Sequence, residues 1–311
     1  MQEKIEHGRP DEPSFESQFE KREKIPTLAG MAEVVDIHPE HEKTSVPVFI
    51  SPGWGGGIDA FKASMEVLMK QDRRVMSLNH PRTGGSMEKV PKDLLEKYPQ
   101  EQLRKALTIL GILKSKGIEK SDVIAHSEGA VAAIIAATLK PSAFRNIVLY
   151  GPAGMIGEDS ALRLMKGSGA QKLHEKSMDA IPGTDTTPGL PEIPLTETAK
   201  KMDANYAQHL KSYIARNPIR SANEIRTLAT AQIHDMLREL HDKGIGIVVM
   251  AGVDDPVFPM ERIQKIAKSD QLDGFLSVRG GHGDIGNYPE THMKAAEFML
   301  TALEKKAKKR G

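Results

Sequence analysis

The stretch AHSEGA, Ala125 to Ala130, follows the run Ser121-Asp122-Val123-Ile124 and leads into VAAIIAATLK, Val131 to Lys140. Ser127 at its centre has two readings. A serine is a favoured N-cap, so it can be ordinary helix-start chemistry. It can also be a nucleophile held on a sharp strand-to-helix turn. Such a turn needs small neighbours because its backbone is strained and closely packed, and Ala125 and Gly129 stand two positions to either side. Five residues do not decide between the two; the rest of the chain does.

Short β-rich runs alternate with longer helical patterns on both sides of this stretch. The runs cover residues 32–37, 46–51, 73–79, 122–125, 146–151, 246–252 and 274–280. Several are nearly continuous in Val, Ile, Leu and Met, as expected of strands buried on both faces of a parallel sheet. Helical patterns cover Phe61–Lys70, Glu101–Lys116, Gly129–Lys140, Met260–Lys268 and Glu290–Lys308. This order predicts an α/β fold with a doubly wound, mostly parallel sheet. The rhythm breaks between 151 and 246, where a Gly/Pro/Thr-rich bend at 181–194 lies among helical patterns at about 159–178, 196–216 and 221–242. Long insertions in compact domains are often lids. The expected organisation is a polar extension over 1–29 (a mobile arm or an edge strand), a core over 30–156 and 221–311, and a helical cap over 157–220.

Composition narrows the function classes. The chain has 311 residues, 39% hydrophobic and 27% charged, and a net charge of +1. Such a balance fits a globular protein and offers no whole-chain field to nucleic acid or an anionic membrane. There are no cysteines, which excludes disulfides, thiolate metal sites and a cysteine nucleophile. The N-terminal segment is charged and lacks a signal-peptide core, and no apolar run approaches the ~20 residues of a membrane span. A soluble, cytoplasmic protein without stable membrane insertion or nucleic-acid partner is expected. Oligomeric state is not legible.

A serine hydroxyl is a poor nucleophile unless a histidine takes its proton and an acid orients that histidine. Of eleven histidines, those after Ser127 near strand ends or outside the cap patterns are His234, His241, His282 and His292. His234 and His241 in HDMLRELH read as solvent-facing, and His292 lies in the final helical pattern. His282 alone stands in a glycine-rich loop, RGGHGD, just after the last strand run. The acid candidates are Asp254 and Asp255 in AGVDDPVFP, after the preceding run. The loops at the carboxyl ends of parallel strands are where such sheets build their sites.

With these pieces in place, the chain resembles an α/β-hydrolase over about residues 32–308, the 157–220 segment being unmatched. AHSEG is similar to the nucleophile elbow G-x-S-x-G, with Ala125 in the first glycine position. Gly252-Val253-Asp254-Asp255-Pro256-Val257-Phe258-Pro259 resembles the family's acid loop with Asp255 as the acid. SPGWGGG, Ser51 to Gly57, resembles its H-G-x-G loop, with Pro52 where a histidine is common. LNHPRTGGS, Leu78 to Ser86, resembles L-D-x-P-G-x-G-x-S, with Asn79 replacing Asp and Arg82 the first Gly. His80 and His126 are expected to be structural.

The resemblance implies a Ser127–Asp255–His282 triad and an oxyanion hole from the backbone N–H groups of Trp54 and Glu128. It needs no metal or organic cofactor. The implied reaction is cleavage of a carboxylic ester through an acyl-enzyme, with a small-molecule acyl substrate as partner. The same parts serve peptidases, thioesterases, C–C bond hydrolases and acyltransferases. A hydrolase-fold protein that only binds is a further alternative. Apolar cap residues (Met155, Ile156, Leu162, Leu164, Met165, Met178) either receive an acyl group or form the cap's own core. Glu128 complements the helix dipole or receives a cationic group. The basic tail KKAKKRG is a surface-binding candidate of little weight, since cations are expected at a helix C-terminus.

Overall fold

Alternation of apolar residues within the central strands fills two layers at once. In the strand that precedes AHSEGA, Val123 and Ala125 face one core while Ile124 faces the other. Strands 144–150 and 246–252 divide in the same way, with Ile147, Leu149, Ile247 and Val249 on one side and Val148, Tyr150, Val248 and Met250 on the other. A strand buried on both faces needs helices above and below it, and the computed structural model places them there. It describes residues 13–81, 87, 90–168, 170, 210–216, 218–268 and 272–310.

Among the described residues the sheet has eight strands: β1 (Glu23–Thr27), β2 (Gly30–Ile37), β3 (Val48–Ser51), β4 (Val75–Asn79), β5 (Ser121–His126), β6 (Phe144–Tyr150), β7 (Gly246–Gly252) and β8 (Gly274–Val278). Their spatial order is β1-β2-β4-β3-β5-β6-β7-β8. The β1–β2 and β2–β4 pairs are antiparallel, and all pairs from β4–β3 to β7–β8 are parallel. The expected doubly wound, mostly parallel architecture is therefore the observed one. The described α-helices are α1 (Phe15–Glu20), α2 (Lys62–Met69), α3 (Lys92–Lys97), α4 (Gln100–Ser115), α5 (Glu128–Leu139), α6 (Pro218–Thr230), α7 (His234–Asp242), α8 (Met260–Ala267), α9 (Asp284–Asn287) and α10 (Pro289–Arg310). Residues of α4, α5, α7 and α8 build one core, and those of α1, α2 and α10 build the other.

Within the 1–29 segment, residues 15–27 form a helix and the edge strand β1. Phe15, Phe19 and Ile25 are buried, so the apolar residues of this otherwise charged stretch are what attach it to the sheet. The helical pattern over 221–242 divides into α6 and α7. Ile233 is fully buried between them and its N–H donates to the Gly154 carbonyl at 3.1 Å, which takes the chain out of the helix there. Most of the 157–220 segment, including the 181–194 bend and Met178, lies outside the described residues, as do Arg82–Ser86.

Helix α5 positions the AHSEGA turn. Residues Glu128 to Ala137 are all buried, and the run of alanines lets the helix approach the sheet closely. Gly129 sits against the β3 loop, where an added Cβ would overlap the carbonyl oxygens of Ser51 and Pro52. No other residue fits without moving backbone.

Candidate active site

Ser127 does not have the backbone of an ordinary N-cap. It has φ 55° and ψ −123°, and its side chain makes no capping bond to α5. A non-glycine residue at positive φ costs of order 1–3 kcal/mol and persists only where surrounding structure imposes it. A serine serving only as an N-cap would sit in the unstrained β region and accept from the helix amides. Here the serine N–H donates to the Tyr150 carbonyl at 3.0 Å and its carbonyl accepts from Ala130 and Ala153, both at 3.1 Å. Those bonds from β6 and α5 hold the turn while leaving the hydroxyl directed elsewhere.

The acid and histidine loops meet at the carboxyl ends of β7 and β8. His282 Nδ1 is 2.8 Å from Asp255 Oδ2. The other carboxylate oxygen, Oδ1, accepts from the Val257 and Phe258 amides, both at 2.8 Å. Asp255 is buried, whereas its neighbour Asp254 is exposed. Gly151, at φ 48°, passes beneath this pair; a Cβ there would come within 3.1 Å of both Asp255 Oδ2 and His282 Nδ1. The Phe258 ring meets the His282 ring edge-on at 5.1 Å.

Three further residues hold the histidine loop, among them His126, expected to be structural. His126 Nε2 lies 2.9 Å from the His282 carbonyl, so it donates there, and the two ring centroids are 4.7 Å apart with the rings tilted by 38°. Burial and the neighbouring His282 push the His126 pKa down to about 3. Tyr150 donates to the Gly281 carbonyl at 3.3 Å and its hydroxyl is 3.0 Å from Nδ1 of the buried His292. Asp284 accepts from the Gly281 amide at 2.7 Å. The sequence signal was the Asp two positions past His282, but nothing local ties Tyr150 or His126 to that loop. His234 and His241, expected to face solvent, are half-buried; His241 lies 3.7 Å from Asp273. His80 is enclosed, and burial holds its pKa well below the ordinary value. Asn79 takes a structural place too: its Oδ1 accepts from the Ile58 amide at 3.0 Å and its Nδ2 donates to Glu33 at 2.6 Å.

The glycine loop after β3 closes on the serine from the other side. A Cβ on Gly53 would come 2.9 Å from the Ser127 Cβ, so only glycine allows the loop this close. Trp54 follows, and its indole N–H donates to Glu224 Oε2 at 2.8 Å. Glu128, the first residue of α5, has an amide in the first helical turn, where N–H groups have no acceptor within the helix. Its side chain turns away from the serine and is buried. Glu128 Oε1 accepts from Gln102 Nε2 at 3.1 Å and Oε2 from Lys105 Nζ at 2.5 Å. Neither a cationic ligand nor the helix dipole alone accounts for it.

Ser127, His126 and His282 line one cavity of about 620 Å³. Its other polar lining residues are Ser168, Ser221 and Asn287, and the remainder is apolar, including Trp54, Phe61, Leu164, Leu228 and Phe258. Arg163 ties the segment after β6 to the acid loop, donating to the Pro256 carbonyl at 3.2 Å and the Val257 carbonyl at 2.6 Å. Among the described residues no group of His, Asp and Glu is placed to hold a metal ion, and no helix is long and apolar enough to cross a membrane.

This fold and this arrangement at the strand ends match the family profile described as the alpha/beta hydrolase fold over residues 46–285, and the chain belongs to that family. Its relatives are distant. The curated protein named "Putative carbamate hydrolase RutD" from Caulobacter vibrioides is 23% identical over 254 residues, 81% of this chain and 89% of that protein. A thermophilic esterase from Thermogutta terrifontis superposes with a TM-score of 0.59 at 19% identity, covering 91% of this chain and 99% of that one. The enol-lactonase from Burkholderia xenovorans LB400 gives a TM-score of 0.57 at 14% identity, covering 87% and 97%. Hydrolase names recur among relatives and neighbours, and the chain is an enzyme of the α/β-hydrolase type.

Proposed function

We propose that the protein is a serine hydrolase that cleaves carboxylic esters of uncharged, medium-sized acyl or alcohol groups. The observation that carries the reading is the strained backbone of Ser127, which lines an apolar cavity shared with His282. In this reading Ser127 Oγ attacks the ester carbonyl carbon as its proton passes to His282 Nε2. Asp255 accepts the Nδ1–H bond, which fixes the tautomer and stabilises the imidazolium. The amides of Trp54 and Glu128 hold the tetrahedral oxyanion. His282 then gives the proton to the departing alkoxide, leaving an acyl-serine and a free alcohol. Water, deprotonated by His282, attacks the acyl-serine, and the acid leaves as Ser127 regains its proton.

Residues 157–220 act as the cap. Ala161, Leu164, Met165, Leu210 and Ile214 line the cavity, so acyl or alcohol carbons leave water when the substrate seats. No Lys, Arg, Asp or Glu lines the cavity among the described residues, which favours an ester over the charged terminus an exopeptidase must hold. The test is a panel of p-nitrophenyl esters from acetyl to decanoyl. A rise in kcat/KM from acetyl to a medium chain supports the reading. Turnover confined to amides, or none with a folded protein, rejects it.

A further inference from the structure

The two residues assigned to the oxyanion hole are joined through their side chains. From the Trp54 indole N–H a hydrogen bond of 2.8 Å reaches Glu224 Oε2. Glu224 Oε1 is 3.2 Å from Lys105 Nζ. Lys105 Nζ is 2.5 Å from Glu128 Oε2. The side chains of Glu224 and Glu128 are 0% and 1% exposed, and that of Lys105 is 8% exposed. Further partners close the cluster: Tyr213 donates to Glu224 Oε2 at 2.7 Å, and Gln102 donates to Glu128 Oε1 at 3.1 Å. Arg220 Nε is 3.5 Å from Glu224 Oε1.

Three elements supply this chain. Glu224 is on α6, the helix that leads out of the insertion; Lys105 is on α4; Glu128 opens α5 directly after Ser127. Burying an ionic chain costs several kcal/mol per ion before pairing returns any of it, so stability alone is a weak reason for it. Burial opposes the Lys105 charge, but Glu128 and Glu224 outweigh it and hold its pKa above the ordinary value. Burial likewise resists ionisation of Glu224, and Lys105, Tyr213 and Trp54 overcome it. Glu128 is shifted the other way, upward, chiefly by burial.

We infer that the Glu224–Lys105–Glu128 chain is a positioning device for the oxyanion hole: it sets the spacing of the Trp54 and Glu128 amides, and it makes that spacing depend on the seating of α6. The inference rests on the proposed serine-hydrolase reading. Neither Glu224 nor Lys105 touches the reacting atoms. They act through the two residues that do, and through them the end of the cap segment governs the rate of chemistry rather than the binding of substrate.

The test uses the full chain with a p-nitrophenyl ester and a fluorophosphonate probe. Glu224→Gln keeps an acceptor for Trp54 and Tyr213 but turns an amide N–H₂ towards Lys105, breaking the chain at one link. Displacing an oxyanion donor by a fraction of an ångström to 1 Å is expected to lower kcat roughly tenfold to a hundredfold, with KM within about threefold of wild type. Phosphonylation of Ser127 uses the same hole and slows by a similar factor. A second variant combines Lys105→Met, Glu128→Gln and Glu224→Gln, leaving no unpaired charge in the cluster. Its Tm is expected near that of wild type while kcat stays low; recovery of kcat together with Tm reduces the chain to a structural role and overturns the inference. Unchanged kcat in Glu224→Gln, with wild type labelled at Ser127, also overturns it and leaves the serine-hydrolase reading standing. Absence of labelling in wild type overturns both.

Discussion

Replacing Asp255 by Asn tests the histidine's support one atom at a time. Asp255 Oδ1 accepts from two backbone amides, those of Val257 and Phe258. The asparagine oxygen must therefore occupy that side, which turns its N–H₂ towards His282 Nδ1, 2.8 Å away in the parent. Facing a donor, Nδ1 must carry the lone pair and Nε2 the proton. An imidazole in that tautomer has no acceptor for the serine proton. The buried volume is conserved, so folding is little affected. The expected loss in kcat at neutral pH is about 10⁴-fold, roughly 5.4 kcal/mol of transition-state stabilisation, the scale known for the same exchange in another serine hydrolase. Hydrolysis of a p-nitrophenyl ester at pH 7, with circular dichroism as the fold control, reads it. Asp254 is exposed, and Asp254→Asn should stay within about twofold. A tenfold or smaller loss in Asp255→Asn, or a larger loss in Asp254→Asn, refutes the reasoning.

Other outcomes follow from packing and protonation. Gly129→Ala drives a methyl into the Ser51 and Pro52 carbonyls; about 1–3 kcal/mol of stability should be lost in urea unfolding, and ester turnover should fall at least roughly tenfold as the glycine loop shifts. His292 is buried, and burial lowers its pKa to about 4. Because its folded value lies below the unfolded 6.5, the stability it contributes is complete above about pH 6.5 and is lost as pH falls towards 4. Across that window His292→Gln should flatten the slope of unfolding free energy by about 1.4 kcal/mol per pH unit, and an unchanged slope counts against the burial argument. Arg73, fully buried, holds Glu297 at 3.1 Å and Glu304 at 2.7 Å. Arg73→Met should cost about 1.5–3 kcal/mol by urea unfolding, since Glu297 keeps Lys43 and the half-buried Glu304 keeps Arg145, and each loses one charged partner.

The parts of this account that were legible in the sequence are those where the chain itself carries a periodic or stereochemical constraint. Runs such as NIVLYG and GIVVMAG declare strands because both faces must be apolar. Gly129 follows Ser127 because the turn admits nothing larger there. The choice of Asp255 over Asp254 rests in the sequence on the resemblance of the acid loop alone: adjacent aspartates are chemically identical, and only the direction of the backbone decides which is buried. Lys105 and Gln102 were hidden for a different reason. On an amphipathic helix such residues ordinarily mark the solvated face, yet both fall at helical spacing from the buried Ile109 and lie under Glu128. Their partner Glu224 comes from far along the chain, so no local pattern announces the cluster. The charges around β1 leave a mobile arm and an edge strand as equal readings of that stretch, and the buried Ile25 is the residue that distinguishes them.

The central claim is that Ser127 is a nucleophile and not a helix cap. Its most direct measurement is reaction of the native protein with a fluorophosphonate, followed by mass spectrometry of the digested chain. A single adduct on the peptide containing Ser127, absent from Ser127→Ala of equal Tm, is the predicted result. A folded wild-type protein that stays unlabelled, or carries the adduct on another residue, contradicts it.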